Sequence, residues 1–452
     1  MSQNATVVSS RLAIDGGEPV IPAGRVLRSR WPRVEAEELV ALANVIRTGM
    51  LTEMAGRQAV QSFETDIALW TGVRYALTTN SGTAALHCAL AGLGVSAGDE
   101  VIVPALSYIA CAAAVIHHHA IPVLADVDPK SYNLTADTVA PHVTPRTRAI
   151  IAVHLHGLPV EMDALLALGK RHGIPVLEDF SQAVGASYHG KRIGSLGAAG
   201  AASLMAGKNL PAAGEGGVVV TNDRTVRNRA AALKCFGESV GVDGTHELIH
   251  ATLGYNYRIN ILSAVMASQQ LFHLERFTRI RNSSARRLDE RLRGIPGFSP
   301  PPVPNGVEHA YHMYRFRFEP REAGLSITSD QAREAIKLTF AAEGLSIVEF
   351  QNAPLASHAL LQRHVGFGHG CPWTCHGRAD MTYRAEDYPG ALDAIRHSLV
   401  VGMPSQATLA NPEAIESYLH VFDKLARHLR AFERFASTLP SSPPWTQPAR
   451  LF

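Results

Sequence analysis

Lys208 follows Ser203 by five residues and precedes Gly214, Gly216 and Gly217, which lead into the apolar run Val218 to Val220. A lysine on a loop, partly withdrawn from water, presents a neutral amine and can form a Schiff base with an aldehyde. The serine hydroxyl then faces a phosphate on the same ligand. The glycines let the chain turn back into a sheet without side-chain crowding. An exposed loop lysine explains the same residues if nothing else in the chain agrees with them.

Thr78 to Thr83 form a hydroxyl-rich turn, with Ser81, Gly82 and Thr83 at the start of a helical period. Unpaired amides and the positive end of a helix dipole make such a start an anion site suited to phosphate. Ser81 serves equally as an ordinary N-cap. The lysine and spacing of a P-loop are missing. Glu178 and Asp179 close the run Val176-Leu177, at the carboxyl end of a parallel strand, where open α/β sheets hold ligands. A buried Asp179 requires a cationic partner. A protonated ring nitrogen meets that need, its pKa raised by the carboxylate so that the ring stays electron-withdrawing. The alternative is a cap for the next helix. Gln182, about one turn on, faces the same ligand. Tyr108 lies flat on a ligand ring or packs in the core. The 254–260 loop offers the Asn256 amide and the Arg258 guanidinium, or is only exposed polarity.

Two clusters invite a metal reading. His117, His118 and His119 are consecutive at a helix end, so their side chains diverge. His369, Cys371, Cys375 and His376 form half of a zinc pattern with no second pair at finger spacing, and no metal is expected. His369, Trp373 and His376 are read instead as loop side chains that reach a substrate.

The elements that position these groups follow from periodicity. Short apolar runs at 76–79, 100–103, 122–124, 149–153, 175–177 and 217–220 alternate with helical segments, the mark of βαβ units and a buried, mostly parallel sheet. Residues 34–72 read as helical, 258–293 as a long connecting helix, 312–318 as an alternating strand, and 329–342 and 412–437 as helices. The 452 residues exceed what one core usually serves. The expected division is an arm over 1–30, a large domain over 31–275, a small domain over 276–437, and a proline-rich tail over 438–452 that is mobile or packs on a neighbour. A net charge of +2, with scattered Lys and Arg, provides no surface for nucleic acid or an anionic membrane. No run reaches the ~20 apolar residues of a spanning helix and no leader precedes the arm, which gives a cytoplasmic expectation. The five cysteines read as reduced core thiols.

Ser81-Gly82-Thr83, Asp179 with Gln182, Ser203 with Lys208, and the 254–260 loop stand in the order found in the PLP-dependent sugar and cyclitol aminotransferases of the DegT/StrS type. The chain resembles that family from about residue 11 to about residue 430. The resemblance implies an α/β, type I aminotransferase fold, with a mostly parallel seven-stranded sheet flanked by helices and a smaller α+β C-terminal domain. It also implies a homodimer with shared active sites. The implied reaction moves an amino group from glutamate or glutamine to a keto or aldehyde carbon of a sugar or cyclitol, in amino sugar, aminocyclitol or antibiotic biosynthesis.

Carried onto matching positions, Lys208 would hold pyridoxal 5′-phosphate covalently and later shuttle the proton. Asp179 would pair with the ring nitrogen and Gln182 would lie by the ring's 3-oxygen. Ser81, Gly82, Thr83 and Ser203 would bind phosphate, joined by Asn256 from the partner subunit, and Tyr108 would stack on the ring. The arm and the segment Val153 to Gly157 look most like the branch containing inosose aminotransferases and aminohydroxybenzoate synthases. His156 joins Arg258, Trp373 and His376 as a candidate substrate contact. Departures from the family pattern, at Leu204, Phe180-Ser181, Phe350 to Pro354 and the Cys371 to His376 loop, bear on the acceptor pocket. Lys208 argues against the dehydratase branch, which carries histidine there. Elimination with aromatisation or carbon–carbon chemistry on the same fold, and a PLP-binding regulatory role, stay open on sequence alone.

Overall fold

A computed structural model describes residues 11–446 apart from Val26, Arg28 and Gly244. Seven strands build the main sheet: β1 (Tyr75–Thr79), β2 (Glu100–Pro104), β3 (Ile121–Ala125), β4 (Thr147–Val153), β5 (Val176–Asp179), β6 (Ala199–Ser203) and β7 (Gly217–Thr221). Their order across the sheet is β1-β7-β6-β5-β4-β2-β3. The strands from β2 to β6 run parallel, and β7 is antiparallel to both neighbours. All residues of β2, β3, β5 and β7 are buried, as apolar strands covered by helices on both faces must be.

Strand β6 has no hydrophobic signature because its neighbours forbid one. A Cβ on Gly200 would fall 2.8 Å from the Gly194 carbonyl oxygen and 2.9 Å from the Phe180 ring. Glycine alone fits at that position, and the other β6 residues are the small Ala199, Ala201, Ala202 and Ser203.

A second sheet, with order Phe298–Ser299, Arg315–Phe318, Ser398–Val401, Ile347–Val348, is antiparallel throughout. Its core includes Phe298, Phe316, Phe318, Phe340 and Phe422, and takes in Leu12 and Ile21 from the N-terminal arm. The helix Ile261–Arg293, capped by Asn260 through a 2.8 Å bond from the Ser263 N–H, spans about 50 Å. Its first half packs on the main core through Leu271 and Leu274, and its second half on the other core through Leu288 and Leu292.

Several expectations change. The helical stretch 34–72 is two helices, Ala36–Thr48 and Arg57–Thr71, the first closed by Gly49 at φ 69°. The C-terminal helix is likewise two, Pro412–Arg427 and Leu429–Ala436, broken at His428. The tail packs on its own chain as far as it is described. Gln331 Nε2 donates to Leu439 O at 3.0 Å, and Arg396 lies over the Trp445 ring. The rest of the tail and the first ten residues of the arm lie outside the described residues. Cys371 and Cys375 form a disulfide, because one tight turn brings their Cα atoms to 5.3 Å. Cys88, Cys111 and Cys235 are buried free thiols.

Residues 355–395 return to the main core, where Leu355, Leu361, Trp373 and Tyr383 are buried. Tyr383 Oη donates to Pro122 O at 2.7 Å, giving the edge strand β3 a partner on its outer side. Among the described residues no helix is long and apolar enough to cross a membrane.

Candidate active site

The carboxyl ends of β2, β5 and β6 meet the start of the helix Gly82–Gly92. Ser81, in extended backbone, caps that helix by accepting the Ala84 N–H at 3.1 Å. The N-cap reading is therefore realised, and the amides of Gly82 and Thr83 still have no acceptor among the described residues. The turn sits close against the sheet because two neighbours lack side chains. A Cβ on Gly82 would lie 2.5 Å from Ser203 Cβ, and one on Gly217 would lie 2.2 Å from Ser81 O. The result is a cradle of two free amides and the Ser203 hydroxyl, which itself accepts the Met205 N–H at 3.2 Å.

The two carboxylates ending β5 separate in role. Glu178 Oε1 accepts the N–H groups of Leu196 and Gly197 at 2.7 and 2.6 Å, while Oε2 accepts the Gly194 N–H at 2.8 Å and His154 Nε2 at 3.2 Å. His154 Nδ1 accepts the Val160 N–H, so Nε2 carries the proton. Glu178 is thus consumed by its own loop. Asp179 is buried and caps no helix. Its Oδ1 accepts the Ser181 N–H at 3.0 Å and its Oδ2 the Cys111 thiol at 3.4 Å, which leaves it capacity for a cation.

Lys208 is fixed at its backbone. Its N–H donates to Met205 O at 2.7 Å and its carbonyl accepts the Trp31 indole N–H at 2.8 Å. Burial lowers the pKa of its amine, opposed chiefly by the negative charge of Asp179. That is the balance a Schiff-base lysine requires. Gln182 Oε1 accepts the His156 N–H at 2.7 Å, which leaves its amide nitrogen as the donor not used in that bond. Tyr108 is 65% exposed, so its ring is free to face a ligand and does not pack in the core.

Beside Lys208, Asn209 Nδ2 donates to the carbonyls of Ala310 and Val184 at 3.1 and 3.4 Å. Its Oδ1 therefore accepts from His312 Nδ1 at 3.3 Å, which fixes the tautomer of that ring. Burial, then the charge of Lys208, holds His312 neutral by pushing its pKa well below the usual value.

Of the other sequence candidates, only Asn256 stands beside the Gly82 turn. His156 is sealed in, with Nε2 accepting from Arg315 Nη1 at 2.8 Å. Burial and that guanidinium hold it neutral, so it is a wall behind Gln182 rather than an open substrate ligand. Trp373 is fully buried and donates to Tyr383 Oη at 2.8 Å. His376 lies against Gly98, before the first residue of β2. At ~3.3 Å per residue that is about 13 Å of strand from the carboxyl end, on the far side of the sheet. The His369 carbonyl only accepts the Thr374 hydroxyl within the same loop. Arg258 lays its guanidinium over the Phe236 ring. Asn256 is exposed, with its carbonyl 3.5 Å from Asn80 Nδ2. Among the described residues no three His, Cys, Asp or Glu side chains converge on a metal position.

Periodicity does not single out Cys111, Trp31, Asn209 or His312. The available signals are spacing alone: Cys111 falls one turn after Tyr108, and Asn209 is next to the lysine.

The family model for DegT/DnrJ/EryC1/StrS aminotransferases matches residues 32–347. The chain belongs to that family. It is 34% identical over 328 residues to a UDP-N-acetyl-3-dehydro-alpha-D-glucosamine 3-aminotransferase of Acidithiobacillus ferrooxidans, covering 73% of this chain and 83% of the relative. It is 35% identical over 323 residues to the L-glutamine:2-deoxy-scyllo-inosose aminotransferase of Streptomyces fradiae, covering 68% and 74%. Among solved structures, 3-amino-5-hydroxybenzoic acid synthase superposes with a TM-score of 0.75 at 28% identity, covering 91% of this chain and 100% of that one. The protein is thus a PLP-dependent aminotransferase with the fold of that class. Its residues fit the cofactor. The cradle that a Cβ at Gly82 would fill suits a phosphate, Asp179 suits a ring cation, and Lys208 is an amine of lowered pKa.

Proposed function

We propose that this aminotransferase moves the amino group of glutamate or glutamine onto a keto or aldehyde carbon of a sugar or cyclitol, in the cytoplasm, as a homodimer. The observation that carries the reading is the placement of Lys208 by Asp179 and the Gly82–Ser203 cradle at one end of the sheet. The names of the relatives, which act on a nucleotide-linked keto sugar and on an inosose, supply the acceptor class.

Bound PLP supplies an electron sink for the bonds at the donor carbon. The chain supplies the rest. Gly82, Thr83 and Ser203 hold phosphate, with Ser81 fixing the turn. Asp179 would keep the ring nitrogen protonated, Gln182 would donate to the ring oxygen and Tyr108 would lie against the ring. Lys208 would hold the cofactor through its amine and would move the proton at the donor carbon, a task suited to an amine whose pKa burial has lowered. Residues 31–275, with 355–395 packed on them, form the cofactor-bearing domain, and the rest of 276–437 forms the smaller one, so the expected boundary is corrected at 355–395. Support for the dimer comes from exposed apolar side chains on and after the helix Ala36–Thr48, namely Leu39, Val40, Ile46, Met50 and Met54, together with Leu253 near the exposed Asn256. In this reading Asn256 reaches the phosphate of the partner subunit, and Arg258 takes a donor carboxylate.

The test is to mix the PLP-loaded protein with glutamate or glutamine in the absence of acceptor. The visible absorbance of the cofactor should fall as 2-oxoglutarate, or its amide, appears in equal amount. Addition of a keto sugar or inosose should restore the band. Persistence of the band with every amino donor tried would sink the reading.

A further inference from the structure

Cys111 is sealed from solvent, its sulfur 3.4 Å from Asp179 Oδ2 and 3.4 Å from Ser107 Oγ. An ionised carboxylate only accepts hydrogen bonds. The thiol proton therefore points to Asp179, and the Ser107 hydroxyl donates to the sulfur. Burial, then the charge of Asp179, pushes the thiol pKa well above its usual value, so the proton stays on sulfur. The second oxygen of Asp179 is tied to the Ser181 N–H at 3.0 Å. With one donor on each oxygen, the carboxylate plane is fixed. The Cys111 N–H also donates to Tyr108 O at 3.2 Å. One turn at the start of the helix Ala110–His117 thus carries both the exposed ring of Tyr108 and the thiol against Asp179.

We infer that Cys111 is a positioning residue for the cofactor: its thiol donates to Asp179 and orients that carboxylate toward the ring nitrogen. The alternative is that Cys111 only fills space, as buried cysteines commonly do. The two roles separate by donor capacity at nearly constant volume. Serine keeps a donor on a shorter bond, and alanine has none.

The experiment measures equilibrium PLP binding and apo-protein melting for Cys111→Ser and Cys111→Ala. A hydrogen bond to a charged group contributes roughly 1.5–3 kcal/mol, and each 1.4 kcal/mol is tenfold in affinity. Cys111→Ala should therefore bind PLP at least about 10-fold more weakly than wild type. Cys111→Ser should stay within about threefold, although both variants lose similar packing and melt lower. Equal weakening in the two variants overturns the inference.

A second readout needs neither cofactor nor a folded Cys111 variant. The infrared S–H stretch of the wild-type apo protein contains a component bonded to a carboxylate, and Asp179→Asn, a weaker acceptor, should move it to higher frequency. No movement on Asp179→Asn overturns the inference as well. Because both measurements concern cofactor binding and the apo chain, their outcome is independent of the donor and acceptor proposed above.

Discussion

Gly82→Ala is the perturbation whose consequence follows most directly from the geometry. The added Cβ would lie 2.5 Å from Ser203 Cβ and 2.8 Å from Ser203 Cα. Carbon atoms settle at about 3.5–4.0 Å, so the helix start must withdraw from β6 by about 1 Å. Ser203 Cβ carries a functional hydroxyl, and its Cα is backbone, so neither can swing aside. Overpacking of this kind destabilises by roughly 1–3 kcal/mol. The same movement separates the free amides of Gly82 and Thr83 from the Ser203 hydroxyl, and a hydrogen bond to a charged group contributes roughly 1.5–3 kcal/mol, with each 1.4 kcal/mol tenfold in affinity. PLP affinity measured by equilibrium dialysis should therefore fall by about two orders of magnitude.

Gly92→Ala is the control. At the other end of the same helix, its Cβ would lie 2.7 Å from Val226 O, far from the cradle. It should lower the melting temperature of the apo protein and leave PLP affinity nearly unchanged. If the two variants bind PLP alike, the phosphate has been placed wrongly.

Three further outcomes are expected. The charge of Asp179 is the largest effect raising the Lys208 pKa against the burial that lowers it, so Asp179→Asn lets burial weigh more. The neutral amine should then persist to lower pH, and the pH midpoint for PLP capture, followed by growth of the visible band, should move down; an upward shift contradicts the assignment. Glu343 accepts the N–H groups of Ala13 and Val20, each at 2.9 Å, and Lys424 Nζ at 2.7 Å. Glu343→Ala strands the buried Lys424, so about 3–5 kcal/mol of stability should be lost in denaturant titrations, and limited proteolysis should begin in the 11–25 arm. Lys234 Nζ lies 2.6 Å from Glu53 and 4.0 Å from Glu64, all three poorly exposed. Lys234→Met should be strongly destabilising by chemical denaturation, and adding Glu53→Leu should recover part of the loss because it removes one of the two carboxylates left without their cation, Glu64 being the other.

The legible parts of this molecule are those in which local chemistry and tertiary demand coincide. Six strands of the main sheet announce themselves as short apolar runs, and the 329–342 stretch reads as the helix that Thr328 and Gln331 cap in the structure. The aspartate and the Gly82 turn are legible because each follows a strand that its apolar run reveals, and the lysine because Ser203 precedes it and Gly214, Gly216 and Gly217 lead on into the run Val218 to Val220. Strand β6 is hidden because Phe180, Val220 and the Gly194 carbonyl leave no room for a Cβ at Gly200, and its other residues are only Ala and Ser.

The misplaced candidates share a cause. His156, Trp373 and His376 have ligand-capable side chains, and only the fold shows that Arg315, Tyr383 and Gly98 already occupy their surroundings. The disulfide was missed because composition argues from compartment, whereas one turn sets the distance between Cys371 and Cys375. Cys111 and His312 were unreadable in their roles because each depends on a partner distant in sequence, Asp179 in one case and Asn209 in the other.

The central claim is that Lys208 is the amine that holds the cofactor. Borohydride reduction of the PLP-loaded protein, followed by digestion and mass mapping, tests it directly. The account predicts one phosphopyridoxyl label, on the peptide containing Lys208, and none in Lys208→Ala. A label on any other lysine, or a borohydride-fixed label that survives in Lys208→Ala, would contradict it.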